Sequence, residues 1–133
     1  MPQPSALALL LIGLLPFDTA QAKSEQPVCR VLPFRGATSP QGADAEMHVV
    51  NTGQPCSITN FGVPSARQNP ADSGRITSPP SVGVAEFKPP RAVYLPKAGF
   101  DGEDYFEYEA TAKGPSDNPL LIRVRVKVTV KAP

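Results

Sequence analysis

Few side chains in this sequence are of types that do covalent or metal chemistry, and their spacing keeps them apart. The one histidine, His48, stands beside Met47 inside an alternating stretch over residues 45–51. A Ser-His-Asp or Cys-His centre needs an activated nucleophile and an orienting acid, and the chain contains no nucleophile elbow or glycine-rich phosphate loop. His48 therefore reads as a strand residue facing solvent or a sheet edge, and no catalytic residue and no cofactor is expected. Asp101, Glu103 and Asp104 have the composition of a calcium cluster without the Asp-x-Asp-x-Asp-Gly spacing of an EF-hand, and they are the metal candidates. The competing reading of Asp104 is a turn carboxylate that binds backbone N–H groups. The third candidate is the cationic strip Arg123, Arg125, Lys127 and Lys131, suited to an anionic polysaccharide. Paired with Glu107 and Glu109 across the strands, the same strip is a solvated sheet face.

The two cysteines, Cys29 and Cys56, complete the reactive inventory. A redox pair usually takes the form Cys-x-x-Cys, and this one does not. Their environment follows from the start of the chain. Residues 6–15 form an apolar run of ten, about half of the roughly 20 that a spanning helix needs. Pro16 and then Ala20-Gln21-Ala22 follow, the small-x-small arrangement cut by signal peptidase. A cleavable signal peptide is expected over 1–22, with a flexible leader at 23–27 and one domain over 28–131. Cys29 lies too far past the apolar run to be a lipid-bearing cysteine. Export into the periplasm or beyond puts both thiols in oxidising surroundings, so one structural disulfide, Cys29–Cys56, is expected.

Removing 22 residues takes away Asp18 but no Lys or Arg, leaving a net charge of +2. That field is too weak to imply nucleic acid or an anionic membrane as the partner. Fourteen prolines remain after residue 22, and proline interrupts helices and central strands. The pattern is accordingly one of short strands over 28–34, 45–51, 56–61, 75–78, 83–88 and 93–95, with no helix outside the leader. Pro33 suits the first of them to a sheet edge. Loops fall at 35–44, 65–74 and 113–119, all rich in residues that favour turns.

The last two strands carry the strongest signal. Phe106, Tyr108 and Ala110 alternate with Tyr105, Glu107 and Glu109. Ile122, Val124, Val126, Val128 and Val130 alternate with Arg123, Arg125, Lys127, Thr129 and Lys131. A strict two-residue period over ten positions is the mark of a half-buried strand. A hairpin register with Glu109 opposite Arg123 and Glu107 opposite Arg125 pairs opposite charges on the outer side.

Residues 94–108 read Tyr-x-Pro-x-x-Gly-Phe-x-Gly-x-Asp-x-Phe-x-Tyr, carried by Tyr94, Pro96, Gly99, Phe100, Gly102, Asp104, Phe106 and Tyr108. With Ile76, Pro79-Pro80, Gly83-Val84 and the closing Val-x-Val-x-Val, this passage resembles the bacterial immunoglobulin-like domains of the cadherin-like tandem-repeat type. The resemblance covers residues 76–131 and implies an all-β, Greek-key β-sandwich of about seven strands. Antibody-type domains join their sheets by cysteines on the second and sixth strands around a tryptophan. This chain has no tryptophan, and Tyr108 falls near the second cysteine position, so its disulfide is expected to join other strands. The expected function is an exported, non-catalytic binding module, with a protein or polysaccharide of the cell envelope as partner. The alternatives are a self-associating structural component and a calcium-dependent module.

Overall fold

The computed structural model describes Gly13, residues 27–64 and residues 69–133. The signal peptide expected over 1–22 and the leader at 23–27 fall outside the described residues, Gly13 and Pro27 excepted. Eight strands follow in order: β1 Cys29–Val31, β2 Ala43–Val50, β3 Cys56–Thr59, β4 Ser73–Ser78, β5 Val84–Lys88, β6 Arg91–Leu95, β7 Gly102–Lys113 and β8 Pro119–Lys131. They form two sheets, ordered β1-β2-β8-β7-β4 and β3-β6-β5. The chain changes sheet between β2 and β3, β3 and β4, β4 and β5, and β6 and β7. Those crossings make a Greek-key, immunoglobulin-like sandwich. Within the described residues the only helical element is a single 3-10 turn at Pro115–Asp117.

The long β7–β8 hairpin sits at the centre. Its register sets Glu109 opposite Arg123 and Glu107 opposite Arg125, as the charge pattern requires. Phe106, Tyr108, Ala110, Ile122, Val124, Val126, Val128 and Val130 are all buried. Each large apolar side chain so buried contributes roughly 1.5–3 kcal/mol of transfer free energy. β1 occupies the edge of its sheet, as a strand followed by Pro33 should. β2 runs parallel to β8, pairing Ala43 with Val124 and Val50 with Lys131.

The eight strands are those read from the sequence, the one expected over 28–34 being shortened to β1. The structure departs from the sequence reading in two places. β2 begins at Ala43, within the stretch expected to be loop. β4 begins at Ser73, although 72–74 reads as turn chemistry. At Gly74 the reason is steric: a Cβ would come 2.5 Å from the Phe87 ring and 2.7 Å from the Glu109 carbonyl oxygen. The glycine there serves close approach of β4 to the core and not a turn.

Cys29 and Cys56 are bonded, with Cα atoms 5.2 Å apart. Cys29 is on the edge strand of the five-stranded sheet and Cys56 on the edge strand of the other. The bridge therefore sews the two sheets together along one side, away from the antibody-type position. Spanning 27 positions of sequence, it removes unfolded-chain entropy worth about 3.5 kcal/mol. Replacing both cysteines by alanine is expected to lower the Tm by on the order of 10 °C. An unchanged melting curve, or two free thiols on the unreduced, unfolded protein, would refute the role assigned to the bridge.

Candidate functional site

Among the charged side chains singled out in the sequence, Asp104 has the most demanding surroundings. It is one of two buried polar residues among those described, at 2% exposure. Its Oδ1 accepts from the Ser81 N–H at 2.9 Å and the Tyr105 N–H at 3.1 Å. Its Oδ2 accepts from the Gly83 N–H at 2.8 Å, the Val82 N–H at 3.3 Å and the Tyr94 hydroxyl at 2.9 Å. The β4–β5 connection thus wraps its backbone around one carboxylate. Gly83 is required for this, because a Cβ would meet the Tyr94 ring at 2.6 Å. Burial pushes the Asp104 carboxyl up, but the bonds from Gly83, Tyr94, Ser81 and Tyr105 outweigh it and leave the group below its ordinary value. Desolvation, and next the bond to Asp104, push the Tyr94 hydroxyl well above its ordinary value.

The three acidic residues weighed as a calcium cluster are sent three ways. Asp104 points into the core. Glu103, its neighbour on the strand, faces outward, 3.5 Å from Lys127 and accepting from the Tyr105 hydroxyl at 3.0 Å. Asp101 Oδ2 accepts from the Ala132 N–H at 3.2 Å. No group of three or more His, Cys, Asp or Glu side chains converges on a metal-sized site among the described residues. His48 is half-exposed on the outer face of β2, with Nε2 3.7 Å from Glu46. The rest of the signature is also structural. Pro96 is buried, and the turn closed by the Phe100 N–H on the Lys97 carbonyl is held by Asn51, whose Nδ2 donates to the carbonyls of Lys97 and Phe100.

The cationic strip lies on the outer face of the five-stranded sheet, where carboxylates on both neighbouring strands answer it. Arg123 lies 3.4 Å from Glu109, Lys127 3.5 Å from Glu103 and Arg125 2.7 Å from Asp44. Although Glu107 is its register partner, Arg125 turns to Asp44 on β2 and donates to the Gln41 carbonyl at 2.7 Å. Beside β7, Arg75 of β4 lies 3.3 Å from Glu109. Acidic and basic strands alternate across the sheet, which leaves Arg123, Arg125 and Lys127 little net field for an anionic glycan.

The three loops are brought together. The 35–44 loop joins β8 where the Arg123 N–H donates to the Ala37 carbonyl. The β3–β4 connection joins β7 where the Asp72 N–H donates to Thr111 and the Val63 N–H to Lys113. The β7–β8 turn over 114–118 lies at the same end of that hairpin. Residues 65–68 of the second loop are outside the described residues. Three large apolar side chains are exposed at this end, Phe61 at 43%, Val63 at 42% and Leu121 at 43%.

One residue that sequence reasoning missed meets the β3–β4 connection, where the Ala71 N–H donates to the Asn60 carbonyl. Asn60, buried at the end of β3, donates from Nδ2 to the Ile58 carbonyl at 3.0 Å and the Pro90 carbonyl at 3.2 Å. Its Oδ1 accepts from the Tyr108 hydroxyl at 2.6 Å. Desolvation pushes the Tyr108 hydroxyl well above its ordinary value, against the pull of that bond. The signal available was the polar pair Thr59-Asn60 between Ile58 and Phe61, which also fits the exposed end of a strand.

Compared with protein-family models, with curated proteins and with solved structures, the chain matches none.

Asp104→Ala leaves buried donors unmatched and is expected to cost on the order of 3 kcal/mol, against about 1–2 kcal/mol for Tyr108→Phe. A carboxyl held below its unfolded value stabilises the fold above about pH 4, and that stability is lost as pH falls through the folded value. Chemical denaturation of the parent protein between pH 7 and 2 should show this acid loss, and Asp104→Ala should show less of it. Equal acid slopes in the two proteins would remove Asp104 from that role.

Proposed function

We propose that the chain is an exported, non-catalytic immunoglobulin-like module of the cadherin-like tandem-repeat type, acting in the periplasm or outside the cell. It binds a protein or glycan of the envelope through the end where its three loops meet. The observation that carries this reading is the exposure of Phe61 and Val63 on the β3–β4 connection, and of Leu121 near the start of β8, at the end where the three loops lie. Binding function on a sandwich usually sits on such loops, held by a rigid scaffold. Apolar side chains amid polar neighbours suit a contact surface better than a solvated tip. Export is supported by the leader pattern at 1–22 and by the oxidised Cys29–Cys56 pair. Among the described residues no helix is long and apolar enough to cross a membrane.

The residues with chemical potential are otherwise engaged. Asp104 holds backbone, both cysteines form a bridge, and the strip cations face carboxylates. The family resemblance over residues 76–131 supports a binding role in the same way, by the signature that ends at Tyr108.

The intact mass of the protein recovered from the envelope fraction is expected to correspond to a chain starting at Lys23, two hydrogens lighter than the reduced form. Capture from envelope extract is expected to return a reproducible partner, and Phe61→Ser with Val63→Ser is expected to lose it without a change in Tm. A full-length mass with free thiols would overturn export. A partner retained by that double variant would overturn the loop end as the binding surface.

A further inference from the structure

Charge compensation on the outer face of the five-stranded sheet breaks down at one corner, at the opposite end from the three loops. Arg30 on β1 is the register partner of His48 on β2, which in turn pairs with Thr129 on β8. These three residues form one row across three strands. Adjacent strands are about 4.8 Å apart, so the row is about 10 Å long. Lys131 follows Thr129 by two positions and so shares its face. Together with Pro27 and Val49, the four line a groove of about 290 Å3.

The cations here differ from those elsewhere on the face. Arg75, Arg123, Arg125 and Lys127 each have a carboxylate partner. Neither Arg30 nor Lys131 has one among the described residues. The fourth member of the row, Glu103 on β7, is turned toward Lys127 and the Tyr105 hydroxyl. Glu46 stands 3.7 Å from His48 Nε2 but does not line the groove. One carboxylate therefore answers two permanent positive charges and an imidazole. In a concave site, such an excess of one sign concentrates the field on whatever enters.

The donors also have a shape. Arg30 brings a planar fork of N–H groups from the edge strand, and Lys131 a rotatable ammonium from β8. The His48 ring and the Thr129 hydroxyl follow Arg30 in the row, and Lys131 stands two positions along β8 from Thr129. A carboxylate offers two coplanar oxygens, which one guanidinium fork satisfies. A tetrahedral anion presents oxygens in several directions and can be met from both sides of the groove at once. We infer that Arg30, His48, Thr129 and Lys131 form a binding site for a phosphate group, carried by a lipid headgroup or by a free phosphate ester. The site is separate from the loop end, and its case is independent of the partner proposed there.

The test uses the protein made from its full chain, purified and titrated with inorganic phosphate at constant ionic strength while backbone amide resonances are followed. Saturable shifts confined to Arg30, His48, Thr129, Lys131 and their strand neighbours are expected. Each lost charge-assisted bond should weaken binding about tenfold or more, so Arg30→Gln and Lys131→Gln should each show that loss. Arg123→Gln removes the same charge from the same face outside the groove and should bind as the parent does. Linear shifts spread over the surface, or equal weakening in Arg123→Gln, would overturn the site. Glucuronate binding as tightly as phosphate would overturn the phosphate assignment. Vesicles containing phosphatidylglycerol, compared with neutral ones, decide the source: retention that is lost in Arg30→Gln identifies a lipid headgroup. Phosphate binding without vesicle retention identifies a free ester.

Discussion

A single carboxylate, buried at the start of β7, constrains much of this molecule. Taking a charge out of water is costly unless hydrogen bonds replace the solvent, and Asp104 is surrounded by five donors that do so. Those donors come from the β4–β5 connection, from β6 and from β7 itself. The carboxylate thereby dictates the path of residues 81–83 and the position of Tyr94. It also explains why Gly83 has no side chain: the backbone must come close enough to donate, and the Tyr94 ring already fills the space. From Tyr94 the constraint passes through packed rings. Tyr94 stacks on Phe106 with centroids 5.8 Å apart, Phe106 on Tyr108 at 6.2 Å, and Tyr108 meets Phe87 at 6.0 Å. Such pairs add about 0.5–1.5 kcal/mol each beyond their buried area.

Two polar ties hold the sheets face to face from inside the core. Tyr94, in the three-stranded sheet, reaches Asp104 in the other. Tyr108, in the five-stranded sheet, reaches back to Asn60 at the end of β3. The ties cross in opposite directions toward the two ends of β7, and the disulfide closes one side. An antibody-type domain places its bridge in the middle of the core against a tryptophan. Here aromatic hydroxyls bonded to short polar side chains occupy that central role, and the bridge has moved to the edge strands. Tying the sheets at several separate points restricts their sliding more than one central bridge would.

How much of this was legible in the sequence depended on how local the cause was. The alternation in β7 and β8 and the hairpin register follow from one short stretch of chain, and the turn chemistry around Asp104 suggested its backbone-binding role, although four of its five donors lie 10 to 23 residues upstream. The Cys29–Cys56 bridge followed from the count of two cysteines and from the export that the leader pattern leads one to expect. What escaped were consequences of strands far apart in sequence. Arg125 has its register partner in Glu107, yet bonds Asp44, because β2 lies along the other side of β8. Nothing near residue 125 announces a parallel neighbour more than eighty residues upstream. Gly74 looked like a turn residue because its true neighbour, Phe87, belongs to the facing sheet. Asn60 read as an ordinary residue of the strand expected over 56–61, since Pro90 and Tyr108, which it ties, are remote in sequence. The calcium candidates also dissolved on geometric grounds: consecutive strand residues such as Glu103 and Asp104 face opposite sides of a sheet.

The charge pattern of the outer face follows from that same parallel pairing. A hairpin alone would set the β8 cations against the β7 acids and leave their other flank to solvent. With β2 added, Asp44 and Glu46 border the far side of the strip, and acid and base alternate from β2 to β4. Alternation of this kind requires an acidic strand on each flank of a basic one. It therefore ends wherever the flanking strand runs out of acids. On β2 the outward residues after Glu46 are His48 and Val50, and on β1 the register partner of His48 is Arg30. The excess of positive charge at that corner is thus a property of strand order and register rather than of composition, which is nearly neutral for the chain as a whole. A net charge near zero conceals a local field when strands of opposite sign end at different heights.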